Sequence, residues 1–521
     1  MTEKYFQLFV DTGGTFTDCI GIDESGKEYR QKVLSSSSLR GTITKIISKN
    51  EIQISDLWNL KRDILKGSSF RLLNTENAEY KIDKINIESK IIQLNKSIPK
   101  TQNWVGQNFE ITSNEEAPVL GIRLITETAL NEIFPDLTLK LGSTKGTNAL
   151  LENKGAKTLF VVTKGFADLL KIGDQTRPDI FALNVVKPKQ ITHQIIEVDE
   201  RIDAKGKILK SIDAEIFKTQ LKSIDKNIIE SVAISLINSY INPAHEKQIA
   251  EILTESGFQF ISTSTELSPL IKILNRAETT VVDSYLSPII HNYVNRISEK
   301  TGNHNFQIMT SAGGLVSVKI FHPKDSLLSG PAGGVVGAKK IGEQSGFKKL
   351  ITFDMGGTST DVSRIDGEFD YRYELQVGDA KINSPAIAIE TVAAGGGSIC
   401  GFDGYKLFVG PESAGAFPGP ACYGAGGPLT ITDVNLLLNR LDTSQFGIPV
   451  FKNAAEKKLK LLIQKIEKKT KNNYSSKEIL KGFIDIANEI MAGAIRKISI
   501  SRGYNPKDFA LVAFGGAGGI H

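Results

Sequence analysis

Cysteine is scarce: three residues in 521, at 19, 400 and 422, with no paired spacing. That excludes a disulfide framework and a cysteine-based zinc site, and it predicts a reducing, cytoplasmic setting. Long apolar runs are missing as well. None approaches the roughly 18 residues that span a bilayer, so no membrane partner is expected. The start, Met1-Thr-Glu-Lys-Tyr-Phe6, runs straight into β-prone sequence without a basic stretch and an apolar core, which argues against a secretory signal. Positive charge is only slightly in excess, 63 Lys and Arg against 58 Asp and Glu, and lysines are spread rather than massed with aromatics. The densest basic stretch, 457–471, interleaves Leu459, Leu461, Leu462, Ile463 and Ile466. That is the pattern of a solvated amphipathic helix, so no nucleic-acid partner is expected.

Glycine, by contrast, is plentiful, and its placement repeats. Asp11-Thr-Gly-Gly-Thr-Phe-Thr-Asp18 and Asp354-Met-Gly-Gly-Thr-Ser-Thr-Asp361 agree at six of eight positions, and each follows an apolar, β-prone run. Two glycines let backbone N–H groups approach an anion, and the threonine adds a donor. An aspartate at the strand end can hold Mg²⁺ directly or through its waters. Two such hairpins facing each other would grip a nucleotide polyphosphate; the alternative is two unrelated glycine turns.

The length predicts about three compact units. Residues 1–50 read as strand, glycine hairpin, strand and a polar helix. In 63–120, Ile82, Ile85, Ile87, Ile91, Ile92 and Leu94 alternate with polar residues, the mark of a small β insertion. From Leu139 the pattern is α/β. Lys145-Gly-Thr-Asn148 opens a short helix and is either an anion site or a simple cap. Arg177 and Asp179 lie on a loop; Arg177 would clamp a substrate carboxylate or pair with a nearby acid. Asp199, Glu200 and Arg201 read as a surface ion-pair network, with a metal or substrate role as the alternative. A long helix is expected over about 270–300. Thr310–Gly314 and Ser329–Gly334 read as strand-to-helix passages, and the Gly- and Pro-dense 391–435 as backbone packed around a ligand. Cys422 is either a small packed residue or a nucleophile. Ser475 and Glu478 form a capping box for an amphipathic core helix. Asp508–Phe514 reads as a buried strand before Gly515-Gly-Ala-Gly-Gly519, a turn that usually feeds a further helix. The polypeptide is therefore expected to continue beyond His521.

Two glycine hairpins and a late glycine turn resemble the nucleotide site of the actin, sugar-kinase and heat-shock-ATPase superfold. The resemblance implies duplicated, ribonuclease H-like α/β domains with a small β insertion. It implies phosphate contacts from Asp11, Gly13, Gly14 and Thr15 on one side and from Asp354, Gly356, Gly357 and Thr358 on the other, with Gly515, Gly516 and Gly518 at the adenosine. A closer resemblance rests on Phe9–Asp18, Thr147–Glu152, Arg177–Phe181, Val198–Arg201, Ser329–Gly334, Phe353–Asp361, Pro418–Gly424 and Ala513–Gly518. Together these are similar to the hydantoinase A / 5-oxoprolinase family, most of all its ATP-dependent 5-oxoprolinases, although Thr12 stands where those often carry Arg. The expected domains are an N-terminal region over 1–205 and a second domain over 206–521, incomplete at its end.

The resemblance implies ATP and Mg²⁺, with K⁺ as an optional further cation, and Mg²⁺ on Asp11 and Asp354. It implies a lactam substrate on Arg177, Thr147 and Asn148, and a B-type half, fused or separate, within an oligomer. Asp354 carries the reaction, with Asp18 or Asp361 as a base or water-positioning group, or else as locks on their hairpins. Three other activities stay open. They are a hydantoin-hydrolysing A subunit, the ATP-using subunit of an acetone-type carboxylase, and an actin- or chaperone-like switch ATPase.

Overall fold

The computed structural model describes residues 5–14, 16–55, 58–73, 79–99, 104–176, 181, 183–184, 187, 189–302, 305–415, 418–443 and 450–520. The chain divides into two compact units, Met1–Gly330 with Tyr373–Ala386, and Pro331–Arg372 with Ile387–His521.

In the first unit the strand Tyr5–Thr12 alternates cleanly, with Phe6, Leu8 and Val10 buried. It pairs antiparallel with Phe16–Asp23 and parallel with Asp136–Ser143, which in turn runs parallel to Phe306–Met309. The helix Ile273–Thr301 packs Leu286, Ile290, Tyr293 and Ile297 into the same core as Leu8, Leu139 and Phe306. Thr310–Gly314 proves to be the turn of an antiparallel hairpin, Phe306–Met309 with Leu315–Ser317, rather than a strand-to-helix passage. A four-stranded parallel sheet, Thr192–Val198, Thr158–Thr163, Ser231–Ser235 and Ile261–Thr263 in spatial order, lies on both sides of residue 205.

The polar helix expected near the end of 1–50 is absent; strands Ser38–Ile46 and Glu51–Ile54 occupy that stretch. They open a closed six-stranded barrel whose order continues through Ile91–Leu94, Tyr80–Asn86, Ser69–Leu72 and Asn108–Thr112, and then back to Ser38–Ile46. Closure decides the matter, because alternation at Leu39 and Ile43 delivers both into the barrel core beside Phe70, Trp104 and Phe109. Gly41 is needed there, since a Cβ would stand 2.7 Å from the Phe109 ring. Phe70 stacks on Phe109 at 4.9 Å, and Tyr80 meets Trp104 edge-on at 5.3 Å. The barrel strands end at Thr112, and the helix Ala117–Thr126 follows with nine of its ten residues buried.

The second unit centres on Lys349–Met355, antiparallel to Thr360–Asp366 on one side and parallel to Ala510–Phe514 on the other. Ala510–Phe514 is an edge strand with Leu511 58 % exposed, so the expectation of a buried strand fails there. The helix Ser476–Ile498 begins with the expected Ser475/Glu478 capping box and buries Ile479, Phe483, Ala494 and Ile498. The basic stretch becomes the amphipathic helix Lys452–Thr470, with Leu459 and Ile466 buried. No helix among the described residues is long and apolar enough to cross a membrane.

Candidate nucleotide site

Both glycine octets fold into the same device. In each, the two aspartates face one another directly across an antiparallel hairpin: Asp11 opposite Asp18, and Asp354 opposite Asp361. In each, the first glycine donates its N–H to the carbonyl three residues on, Gly13 to Phe16 at 2.9 Å and Gly356 to Ser359 at 3.0 Å. The second glycine of each turn is exposed. In each, the strand carrying the first aspartate also pairs with a parallel neighbour, so that Asp11 stands level with Gly142 and Asp354 with Phe514. The sequence repeat is therefore a repeat of local topology, with the aspartates at the carboxyl ends of parallel strands, where α/β sheets bind ligands.

Around the first hairpin lies a cavity of about 240 Å³ lined by Thr12, Gly13, Gly14, Asn148, Lys145 and Tyr293, among others. Thr144 fixes the short helix Lys145–Leu151 to the hairpin, its N–H and hydroxyl both donating to the Thr12 carbonyl at 2.9 and 3.1 Å. Asn148 lies beside Gly14, whose missing Cβ would stand 3.6 Å from the Asn148 amide nitrogen. Thr147 faces elsewhere; its hydroxyl accepts the backbone N–H of Leu328 at 3.2 Å. Lys145 lies over the Tyr293 ring, and the Tyr293 hydroxyl bonds that of Thr12 at 3.1 Å. Partial enclosure raises the Asp11 pKa above the usual carboxylate range, with the Asp18 charge adding and Lys32 opposing. Lys32 donates to both carboxylate oxygens of Asp18, at 2.8 and 2.7 Å.

In the second unit Asp354 is closely covered. Gly515, at φ +82°, passes directly over its Oδ1 and leaves no space for a side chain, and a Cβ on Gly334 would lie 3.6 Å from its Oδ2. Asp361 accepts a hydrogen bond from the Thr391 hydroxyl, but burial outweighs it and raises the Asp361 pKa. The glycines at 395–397 pack against the hairpin rather than around open space. Gly396 and Gly397 donate to the carbonyls of Gly356 and Gly357 at 3.0 and 2.6 Å, and a Cβ on Gly395 would stand 2.8 Å from the same backbone. Ala517 N–H closes the late turn onto the Met355 carbonyl at 2.8 Å, while Gly516 borders open space. Thr358 and Gly357 are exposed at the turn tip.

The structure thus gathers Asp11, Gly13, Gly14, Asp18 and Asn148 in one unit, and Asp354, Asp361, Gly356, Gly357, Thr358, Gly515, Gly516 and Gly518 in the other. Thr15, Arg177 and Asp179 lie outside the described residues. Sequence reading gave Lys32 no role at the hairpin and missed Tyr293 and Thr391. Lys145 headed a flagged motif, whereas Tyr293 sits mid-helix with no local signal. Glu200 is not on the surface as expected. It is buried, bonded to His245 Nδ1 at 2.6 Å and to the Thr163 hydroxyl, while Asp199 alone forms the exposed pairs, with Lys164 and Lys210. All three cysteines are buried, and enclosure together with Asp433 pushes the Cys422 thiol well up, which keeps it protonated.

Mg²⁺ suits these donors, because it takes one or two carboxylates and fills its remaining positions with phosphate oxygens and water. Each hairpin offers an aspartate at the strand end before its glycine turn, Asp11 in the first and Asp354 in the second.

The hydantoinase/oxoprolinase N-terminal region model matches residues 99–257 and the hydantoinase/oxoprolinase model residues 276–521. A 5-oxoprolinase of Pestalotiopsis fici is 39% identical over 455 residues, covering 78% of this chain and 36% of that protein. The solved ATP-dependent caprolactamase from Pseudomonas jessenii superposes with TM-score 0.68 at 25% identity, covering 99% of this chain and 66% of that one. A nucleotide-free acetone carboxylase does so with TM-score 0.65 at 22% identity, over the same shares, and shows the common fold. The chain spans roughly a third of the length of the curated 5-oxoprolinases it matches. On its two matched regions and its identity to these relatives, the chain belongs to the hydantoinase/oxoprolinase family.

Proposed function

We propose that this chain is the ATP-using half of an ATP-dependent cyclic amidase, acting in the cytoplasm on 5-oxo-L-proline with a B-type half, fused or separate. The observation that carries the reading is the pair of Asp–Gly–Gly hairpins with matching turn bonds and matching parallel neighbours. The names of the relatives supply the substrate.

A five-membered lactam is a poor electrophile because its nitrogen donates into the carbonyl. Attack of the lactam oxygen on the γ-phosphorus of ATP breaks the bond to ADP and leaves an imidate-like phosphate. Water then adds at the activated carbon. The C–N bond then breaks, with the nitrogen taking a proton, to give an acyl phosphate; a second water hydrolyses this, and glutamate, ADP and phosphate leave. Little covalent chemistry falls to the protein in the first step, so positioning and charge neutralisation dominate. In this reading Gly13, Gly14, Thr15, Gly356, Gly357 and Thr358 donate to phosphates, and Gly515, Gly516 and Gly518 border the adenosine. Asp11 and Asp354 would hold Mg²⁺, which would supply neutralisation of phosphate charge. Asp361, with its raised pKa, positions or accepts the proton of water, while Asp18, tied to Lys32, locks the hairpin. Asn148 is the substrate-side residue nearest the turn, and Arg177 the partner of the substrate carboxylate. K⁺ is assigned no ligand.

Phosphate release from Mg-ATP, by this chain with its B-type half, is the test. Stimulation by 5-oxo-L-proline with one glutamate per phosphate is expected. Stimulation only by caprolactam, a hydantoin or a ketone would replace the substrate, and hydrolysis indifferent to all of them would sink the amidase reading. Asp354→Asn is expected to keep the fold and lower turnover at least 100-fold; unchanged turnover would remove Asp354 from the mechanism.

A further inference from the structure

Glu278 is the least explained carboxylate of the first unit. It sits in the first turns of the helix Ile273–Thr301, partly buried, and no hydrogen bond or ion pair to it is formed among the described residues. Two cavities meet at it. The inner one, beside the helix Lys145–Leu151, is about 230 Å³ and sets the apolar side chains Leu150, Val281, Val282 and Val377 among polar ones such as Lys189 and Gln190; the outer one is about 650 Å³. Glu278 and Lys381 line both, so they stand at the passage between them. The walls are anchored at this level, because the Asn383 N–H donates to the Thr279 hydroxyl at 2.8 Å. The other charged groups facing the two cavities are Asp174, Lys189, Lys272, Glu374 and Asp379, and Lys381 is ion-paired to Asp174.

An enclosure of this size suits a small ring rather than a drug-sized ligand. The apolar side chains would cover ring methylenes, and one carboxyl at the passage would meet a single polar edge. The helix Lys145–Leu151 borders the inner cavity through Leu150 and Leu151, and its Lys145 and Asn148 line the cavity at the first glycine hairpin. Lys145, Asn148 and Glu152 share one face at the hairpin cavity while Leu150 and Leu151 face the inner one, so a molecule in the inner cavity is separated from the hairpin turn by the helix itself.

We propose that the inner cavity is a second binding site for the cyclic amide, apart from the reacting one at the phosphate hairpin, with the Glu278 carboxyl hydrogen-bonded to the amide edge and the Leu150, Val281, Val282 and Val377 side chains covering the ring. The proposal rests on the cyclic-amidase reading for its ligand. Desolvation pushes the Glu278 pKa up to about 7, against the pull of Lys381 and with the help of Asp174. The protonated carboxyl donates to the lactam carbonyl, and its ionised form repels the carboxylate of 5-oxo-L-proline. Binding therefore weakens as pH rises through about 7.

The experiment is calorimetric titration of 5-oxo-L-proline into the full protein without nucleotide, from pH 5.5 to 8.5, for the wild type, Glu278→Gln and Ala380→Leu. The wild type is expected to lose about tenfold in affinity per pH unit above 7. Glu278→Gln keeps an N–H donor and is expected to bind with a flat pH profile. Ala380→Leu narrows the inner cavity and is expected to weaken binding at least tenfold, while Mg-ATP affinity in both variants stays at the wild-type value. Wild-type affinity and pH profile in both variants would overturn the site, as would a wild type that binds no 5-oxo-L-proline. Lactam-stimulated ATP hydrolysis in either of those cases would leave the amidase reading standing and remove only the site. Absence of lactam-stimulated hydrolysis alongside pH-dependent binding would do the reverse.

Discussion

Asp354 shows how closely single atoms are placed here. Its Oδ1 sits under Gly515, whose φ of +82° and lack of a Cβ let the late turn cross the strand end. Gly515→Ala would bring a methyl onto that carboxylate and strain the backbone. The expected cost is about 1–3 kcal/mol of stability, with Mg-ATP affinity reduced by at least tenfold. Thermal unfolding and nucleotide titration on the same protein check both, and unchanged nucleotide affinity would show that the Asp354 carboxylate is not positioned by this turn. Gly516, two atoms of backbone away but facing open space, is expected to accept Ala with a smaller effect. The two residues look alike in sequence, and only their surroundings tell them apart.

Among the elements, the six-stranded barrel is held by a charge cluster set by register. Glu110 lies opposite Arg40 on one neighbouring strand and Arg71 on the other, and it accepts from both and from Ser38. Burial would raise the Glu110 pKa, but the hydrogen bonds from Arg71, Arg40 and Ser38 outweigh it and hold the carboxyl below its usual range. Stability from Glu110 is thus complete above its unfolded pKa of about 4.5 and disappears as pH falls through the lower folded value. Glu110→Ala is expected to cost about 1–3 kcal/mol at neutral pH and nothing at a pH below both values. Hydrogen exchange of the barrel amides between pH 3 and 7 would read this; an equal cost at all pH values would assign the loss to packing instead. The short helix Lys145–Leu151 is a second element whose role comes from position. Its seven residues would be marginal alone, and the Thr144 bonds to Thr12 fix it against the hairpin.

At the scale of the whole molecule, Glu278 links the cavities to stability. Its folded pKa of about 7 lies above the unfolded 4.5, so the native chain holds the proton more tightly and stability declines between those values. Glu278→Gln is expected to match the wild type below pH 4.5 and to be more stable above pH 7, by roughly 1 kcal/mol or more, with a Tm gain of a few degrees. A Tm difference that does not vary with pH would show that Glu278 titrates normally. Across the chain, the acidic and basic totals nearly cancel, so such local terms rather than net charge set the response to pH.

The sequence by itself determined the two hairpins, the family and the candidate phosphate residues, because each rests on a contiguous motif whose chemistry is local. Asp11 through Asp18 and Asp354 through Asp361 need only their own strands and glycines to form the turn, and the capping box at Ser475 and Glu478 is equally self-contained. Tertiary structure alone decided that Ser38–Ile46 is a barrel strand, since Leu39 and Ile43 are buried by Phe70 and Phe109 from 27 or more residues away. It also decided that the glycines at 395–397 pack on the second hairpin's backbone, that Glu200 is buried with His245, and that Thr147 serves Leu328 while Asn148 serves the turn. The cavity at Glu278 joins residues from 150, 189, 278 and 381, which no spacing in the chain connects. Motifs encode the geometry within a turn or two; burial, and the pKa shifts that burial causes, depend on contacts that only the folded chain brings together.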